Sequence, residues 1–379
     1  MNPNPPTLPD PIDVARAEAD ALAANRAQLL DARVDRLFAD SPFVDRHAAL
    51  EGIEQFYRQR MQRIPSVEKY PESPPWVDHA IAVDRELQKR TGLSDRDMAL
   101  HRCLADFTKF RGFINTAPAT DEKCRIVYLP DSDRGEAHIK NVDDPSTFYT
   151  PEPPLADQPY NRPSLTLDGV GSGLHLDDEP DDIFPLPVRT MLFHYADDVP
   201  GAVEFLTRYC PFWSGQNIVL FDRDKRSVAI EKASVNHIEV FHPGPDGHSH
   251  CSGMVTRDPN SPHGKYQRAK RRQFIDHFNL DENGSDNAFW AAAENLERKL
   301  ARGAAALGQP ASIDKLITLF TTPYPDGLCK TGALVHPDQP YPAYTLITRL
   351  TLHDQRLSMR WQRDQQLNYP AEPEVARLT

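Results

Sequence analysis

Apolar residues recur every three or four positions through the first third of the chain, and every second position through much of the remainder. The first rhythm predicts amphipathic helices, the second half-buried strands. From Pro11, PIDVARAEADALAANRAQLLDARVDRLFA carries its Ala, Leu and Val at helical spacing, and HAALEGIEQFYRQRMQRI and WVDHAIAVDRELQKRT continue the pattern. SDRDMALHRCLADFTKF comes next, with Ser94 and Asp97 as capping residues for its start. Strand signals are nearly absent before Cys124.

At Cys124 the period changes. CRIVYL is a short β-branched and aromatic run, PDSDRG is turn material, and EAHIKNV returns with alternation, which predicts a β-hairpin opened by a cysteine. NIVLFD and SVAIE, joined by RDKR, form a second hairpin; SLTLDGV, HIEVF, YTLITRLTL and RLSMRW are further strand candidates. Helical patterns among them are VRTMLFHYA, GAVEFLTRYC, YQRAKRRQFIDHF and DNAFWAAAENLERKLARGAAAL. Strands joined by hairpins and interspersed with helices predict antiparallel sheets packed on helices. The sharpest change of character falls between residues 123 and 124. It divides a helical segment, 1–123, from an α+β core, 124–379.

Composition narrows the function. The 379 residues suffice for one large domain or two ordinary ones. A formal charge of -12 repels phosphate backbones, so no nucleic-acid partner is expected. Mean hydropathy is -0.58 and no stretch approaches the roughly 18 apolar residues of a membrane span. The opening MNPNPPTLPDPID lacks the basic and apolar regions of a secretory signal, which predicts a cytoplasmic protein with no membrane partner. Five scattered cysteines form no CxxC pair, so neither a disulfide framework nor a structural zinc site is expected. The 35 prolines lie in runs such as PESPPW and TPEPPLADQP, which read as rigid connections.

One cysteine invites a chemical reading. The hairpin CRIVYL/EAHIKNV returns the segment 140–144 to the neighbourhood of Cys124. A nucleophilic thiol needs a lowered pKa or an adjacent base, with donors aimed at the developing oxyanion. Lys140 and Asp143 are suited to stabilise a thiolate and orient an amine. The competing reading is a structural cysteine at a strand start, flanked by surface charges.

From Cys124 onward the chain resembles the N-terminal-nucleophile (Ntn) hydrolases. It is most similar to the acyl-coenzyme A:6-aminopenicillanic acid acyltransferase family (peptidase family C45), with choloylglycine hydrolase and acid ceramidase as cousins. The likeness is carried by an ordered series. In those relatives the cysteine opens a hairpin that ends in an arginine and an aspartate, at positions matching Lys140 and Asp143. GVGSGLHLDDEPDDIFPLPV resembles the segment carrying a Gly-Leu-Asn, and GAVEFLTRYCPFWSGQNIVLFDRDKRSVAIEKAS the helix and the Asn…Asp…Glu hairpin. GMVTRDPNSP and YQRAKRRQF are similar to a Thr-Asn-His segment and an Arg-rich helix. DGLCKTGALV, YTLITRLTL and RLSMRW resemble the closing strands.

The resemblance implies a four-layer αββα Ntn-hydrolase sandwich of antiparallel sheets. It implies self-cleavage between Lys123 and Cys124, after which Cys124 is the nucleophile and its own α-amine the base. Asp143 would hold that amine, and Lys140 would supply positive charge. The relatives' oxyanion-hole asparagine falls on Arg257, and a second asparagine, in the Gly-Leu-Asn of the choloylglycine branch, falls on His175; both replacements keep a hydrogen-bond donor. Lysine for arginine loses the planar fork. Lys123 and Arg125 stand where close relatives favour small residues.

A second constellation is metal-like. His175-Leu176-Asp177 is an H-x-D, with His237, His242, His248 and His250 downstream, the ligand types of a 2-His-1-carboxylate iron site in a 2-oxoglutarate oxygenase. The segment HPGPDGHSH, however, reads as an exposed turn with solvated histidines. DDEPDD reads as a solvated loop, and Arg268, Lys270, Arg271 and Arg272 as a solvated helix face. GVGSG lacks dinucleotide spacing, and neither a Walker A nor a G-x-S-x-G motif is present.

The expected protein is therefore a self-processing cysteine amidohydrolase or N-acyltransferase that acts through a Cys124 thioester and needs no cofactor or metal. Its partners would be a small-molecule amide or acyl donor and its own N-terminal fragment, and a homo-oligomer is compatible with the sequence. The alternatives are an iron oxygenase built on His175 and Asp177, and an uncleaved, non-catalytic Ntn-like protein.

Overall fold

The computed structural model describes residues 10–26, 47, 50–52, 54, 55, 57, 58, 74–102, 124–145, 165–171, 192, 195–209, 216–234, 237–242, 247–251, 260–277, 298–323, 326–330, 343–364 and 368–377. The chain divides into two compact units. One comprises 1–117, 175–215 and 234–236; the other comprises 118–174, 216–233 and 237–379.

The first unit is helical wherever it is described. α1 (Pro11–Arg26) packs with α2 (Pro74–Thr91), which buries Trp76, Val77, Ala80, Val83 and Leu87 along one stripe. Residues 95–102 form another helical stretch. Its start is the predicted capping box: the Ser94 backbone N–H donates to Asp97 Oδ2 at 2.9 Å and the Asp97 N–H to Ser94 Oγ at 3.1 Å. α3 (Val199–Glu204) is capped by Asp198, which accepts from the Gly201 N–H, and runs on into a π turn at Phe205–Tyr209. Trp76 meets Tyr195, Phe205 and Tyr209 at ring-centroid distances of 4.9 to 5.5 Å.

The second unit holds two sheets. β1 (Arg125–Leu129) and β2 (Ala137–Pro145) are the predicted cysteine-led hairpin. With β7 (His248–Cys251), β8 (Ala343–Leu352), β9 (Leu357–Gln362) and β10 (Glu374–Arg377) they form a six-stranded sheet in the order β10-β9-β8-β2-β1-β7. β3 (Leu165–Gly171), β4 (Gln216–Asp222), β5 (Ser227–Ser234) and β6 (His237–Phe241) neighbour one another in chain order in a four-stranded sheet. The fold is mixed α and β with antiparallel sheets.

β1 is buried at all five positions because both of its faces are covered. Val127 and Leu129 join Ala137, Ile139, Leu350 and Leu352 in an apolar layer under Leu316 and Phe320 of helix α5 (Ile313–Thr321). Ile126 and Tyr128 point the other way, into a cluster with Val219, Phe221 and Ala229 of the second sheet. Among the described residues, the strands read from two-residue alternation are present, and β7, β10 and α5 were not predicted.

Within HPGPDGHSH, read as an exposed turn, His242 is exposed and 243–246 lie outside the described residues, but the C-terminal part departs from that reading. His248 and His250 lie in β7 and are 9% and 2% exposed. β7 pairs with β1, and its histidines find polar partners in the layer between the sheets. Among the described residues no helix is long and apolar enough to cross a membrane.

Candidate active site at the start of strand β1

Cys124 stands immediately before β1, half-buried and outside any disulfide, and packs against the cluster between the two sheets. It shares a face with Ile126 and Tyr128 because strand side chains alternate. Arg125 takes the opposite face and is fully buried; its Nη2 donates to Thr345 Oγ1 at 2.9 Å. The same hydroxyl oxygen accepts the Lys330 N–H at 2.8 Å. The backbone that presents Cys124 is thus fastened from behind.

Register then fixes the neighbours. Ile126 lies opposite Lys140 on one side and His250 on the other. Both are diagonal to Cys124 on its own face, a relation that long and aromatic side chains can span. Lys140 is buried and heads a row of cations across the sheet, facing Arg349, which faces Arg360. Arg360 pairs with Glu374 on β10. Asp143 lies just past a β-bulge in β2, its backbone opposite Thr345. Such a bulge re-aims the strand beyond it.

The second sheet supplies the remaining polar groups. Glu231 on β5 is 1% exposed and lies across the gap from β7. Its Oε1 is 3.6 Å from His250 Nε2, and its Oε2 is 3.0 Å from Nε2 of His263, at the start of α4 (Pro262–His277). Asn217 is the cross-strand partner of Glu231 and is 2% exposed. Its Nδ2 has no hydrogen-bond partner among the described residues, which leaves a buried donor available to a ligand.

The layer changes character along its length. Beyond Ile126 it is filled by rings: Tyr128 stacks on Phe221 at 5.6 Å and His138 meets Phe221 at 4.1 Å. Tyr128 also donates to Glu136 at 2.7 Å. Burial pushes the Tyr128 hydroxyl well up, and the Glu136 carboxylate that accepts its hydrogen bond adds to the shift. Burial raises the Glu136 carboxyl as well, against the opposing pull of that hydrogen bond and of Lys225. Polar groups therefore gather at the Cys124 end and rings close the other.

Of the residues expected from sequence, Cys124 and Lys140 are brought to one face of one hairpin, with the Asp143 backbone on the same returning strand. Lys123, His175, Asp177 and Arg257 lie outside the described residues, as does the DDEPDD loop. Among the described residues no group of His, Cys, Asp and Glu is arranged to hold a metal ion. Of the basic cluster on α4, Arg268 and Arg272 are exposed, and Arg272 pairs with Asp276 one turn on. Asp222 works structurally: its carboxylate closes the β4–β5 turn by accepting from the Asp224 and Arg226 N–H groups. Sequence reasoning missed Asn217, Glu231, His250 and His263 as a group. Their advance signals were the Asn and Glu of the hairpin resemblance and the place of His250 in the metal-like constellation.

No family model matches the chain. No curated protein matches it either. Among solved structures, a variant of conjugated bile acid hydrolase from Clostridium perfringens aligns at 13% identity and a TM-score of 0.34. The alignment covers 69% of this chain and 86% of that one. A likeness of that size carries no argument about family or activity.

Proposed function

We propose that the chain is a self-processing cysteine amidohydrolase or N-acyltransferase with Cys124 as nucleophile. The observation that carries this reading is the β1–β2 register, in which Lys140 lies diagonal to Cys124 on the face turned to the layer between two sheets. The ordered resemblance along the sequence supports it. A four-layer αββα arrangement belongs to the reading: α5, the six-stranded sheet and the four-stranded sheet supply three layers, and α4 would belong to the fourth.

In this reading the Cys124 thiolate attacks the Lys123 carbonyl. The peptide C–N bond breaks, a thioester forms, and the α-amine of Cys124 is released with the proton. Water then cleaves the thioester, which frees the Lys123 carboxylate and restores the thiol. In turnover the amine, with a reference pKa near 8, takes the thiol proton, and Asp143 holds the amine in place. The acyl group of an amide substrate passes to Cys124 and then to water or to an amine acceptor. Lys140 and the cations beyond it favour the thiolate and an anionic substrate group. Asn217 Nδ2, together with Arg257 and His175, would donate to the oxyanion. Cys124 and Cys329, neither of them in a disulfide, fit a reducing, cytoplasmic setting.

Intact mass of the freshly purified chain, beside Cys124→Ala, tests the proposal. Two fragments divided between residues 123 and 124, absent from the variant, are expected, with amide turnover that the variant lacks. A single full-length mass in both proteins overturns self-processing. Amide turnover undiminished in the variant overturns Cys124 as nucleophile.

A further inference from the structure

The α-amine of Cys124 cannot be the base for its own release, because before cleavage it is the amide nitrogen of the Lys123–Cys124 bond. Some other group must take the thiol proton in the intact chain. We propose that His250, whose ring faces the buried Glu231 carboxylate at 3.6 Å while His263 bonds that carboxylate's other oxygen, is that group. The inference rests on the reading of Cys124 as nucleophile and adds to it a proton acceptor that works before any peptide bond breaks.

His250 is on β7, directly opposite Ile126, and Cys124 is two residues before Ile126 on the same face. A diagonal pair of this kind has its backbones about 7–8 Å apart, within reach of an imidazole ring. His250 points into the layer between the sheets, as its approach to Glu231 requires. The carboxylate of Glu231 is buried between two imidazoles, with its two oxygens turned to different rings: Oε1 to His250 and Oε2 to His263. At 3.6 Å the carboxylate acts on His250 through its charge, which balances the charge the ring gains on protonation. The bracing histidine enters from α4, so the carboxylate is fixed from a third element.

The proton step balances within the chain. The Cys124 S–H bond breaks, an N–H bond forms on His250, and the product is a thiolate–imidazolium pair facing Glu231. Other charged and titratable groups bear on that face. Lys140 and Arg349 are on β2 and β8, and His248, two residues along β7, is bonded to Ser227 at 2.8 Å. The cations Lys140 and Arg349 favour the thiolate. Glu231 is the carboxylate seen beside the imidazole, so it favours the imidazolium. Asn217 Nδ2, buried on the strand next to Glu231, is the donor that a carbonyl oxygen brought to Cys124 would meet.

The test is the pH dependence of iodoacetamide alkylation at Cys124 in newly synthesised chains, scored only on peptides that span Lys123–Cys124 and so come from molecules not yet cleaved. Labelling is read by mass on the peptide that contains Cys124, with the ultraviolet thiolate band recorded alongside. Reaction is expected to persist down to about pH 6, well below the range of a free thiol near 8.5. His250→Gln should return the profile to that of a free thiol, with at least a tenfold loss of rate at about pH 6. Glu231→Gln keeps the shape of the side chain and should give an intermediate shift, so the proposal stays testable if His250→Gln does not fold. His248→Gln, on the same strand and face, should leave the profile unmoved.

A profile unchanged in both His250→Gln and Glu231→Gln overturns the inference. If those chains still cleave and turn over amides, the amidase reading stands without it. A profile that shifts as expected, in a chain that neither cleaves nor turns over any amide, keeps the inference and overturns the amidase reading.

Discussion

Asn217 shows how much one buried amide can say. A donor 2% exposed, without a partner among the described residues, costs stability of roughly 1–3 kcal/mol unless something answers it. It sits across the strand from Glu231, on the face that carries Val219 and Phe221 into the layer beside Cys124. Groups left unpaired in this way are favoured where a ligand supplies the missing acceptor. In the proposed amidase, replacing Asn217 by Ala should lower kcat by about 10²–10³ and leave KM nearly unchanged, the pattern of a contact made in the transition state. Steady-state kinetics on the purified variant check this; a change confined to KM counts against the role.

At the scale of elements, β7 depends on a single glycine. Gly247 has φ +85°, and a Cβ there would meet the Tyr128 carbonyl oxygen at 2.1 Å. Only the absent side chain lets the start of β7 lie so close to β1, and that approach sets the register that carries His250. Gly247→Ala should destabilise the protein by more than about 1–2 kcal/mol, because backbone strain and a clash with a carbonyl act together. Gly92, at φ +66° with nothing within 4 Å of an added Cβ, should cost only about 1 kcal/mol when changed to Ala. Urea titrations of the two variants give the comparison. Gly247→Ala should also reduce alkylation of Cys124 at low pH, whereas Gly92→Ala should not.

At the scale of the whole molecule, the helical unit is tied together by ions. Arg102 is buried and donates to Glu18 and Asp84 on α1 and α2, at 2.8 Å to Glu18 Oε2 and 2.6 Å to Asp84 Oδ1. Burial would raise the Glu18 carboxyl, but the charge and hydrogen bonds of Arg102 outweigh it, with His101 adding to them, and hold it far below its ordinary 4.5. Burial pushes Asp84 up, against the opposing pull of Arg102. A depressed carboxyl contributes stability that is complete above its unfolded value and is lost as pH falls toward its folded one. The Glu18 contribution should therefore fade as pH drops below about 4.5. Arg102→Met leaves both carboxylates buried without their cation and should cost about 3–5 kcal/mol at neutral pH. In the variant the sign reverses, since protonating the stranded carboxylates relieves it, so the gap to the parent should narrow as pH falls. Thermal melts at several pH values track both trends.

How much of the fold and the site was legible in the chain depends on where the information resides. The Ser94–Asp97 cap, the Cys124 hairpin and the RDKR hairpin are local, set by residues within a few positions of one another, and they could be read directly. So could the two-residue alternation that puts Cys124 and Ile126 on one face. β7 was not legible, because His-Ser-His has no apolar signal; it is a strand only because β1 offers it an edge and Glu231 and Ser227 offer its histidines partners. β10 is a short, mostly exposed edge strand whose pairing with β9 is likewise decided outside its own sequence. The sequence by itself determined the helices described in the first third, the antiparallel strands after them and the thiol at their head. Only the tertiary structure decided which charges share the interior with that thiol. Burial and hydrogen bonding between residues far apart in the chain arise from how sheets stack, and no local pattern encodes them.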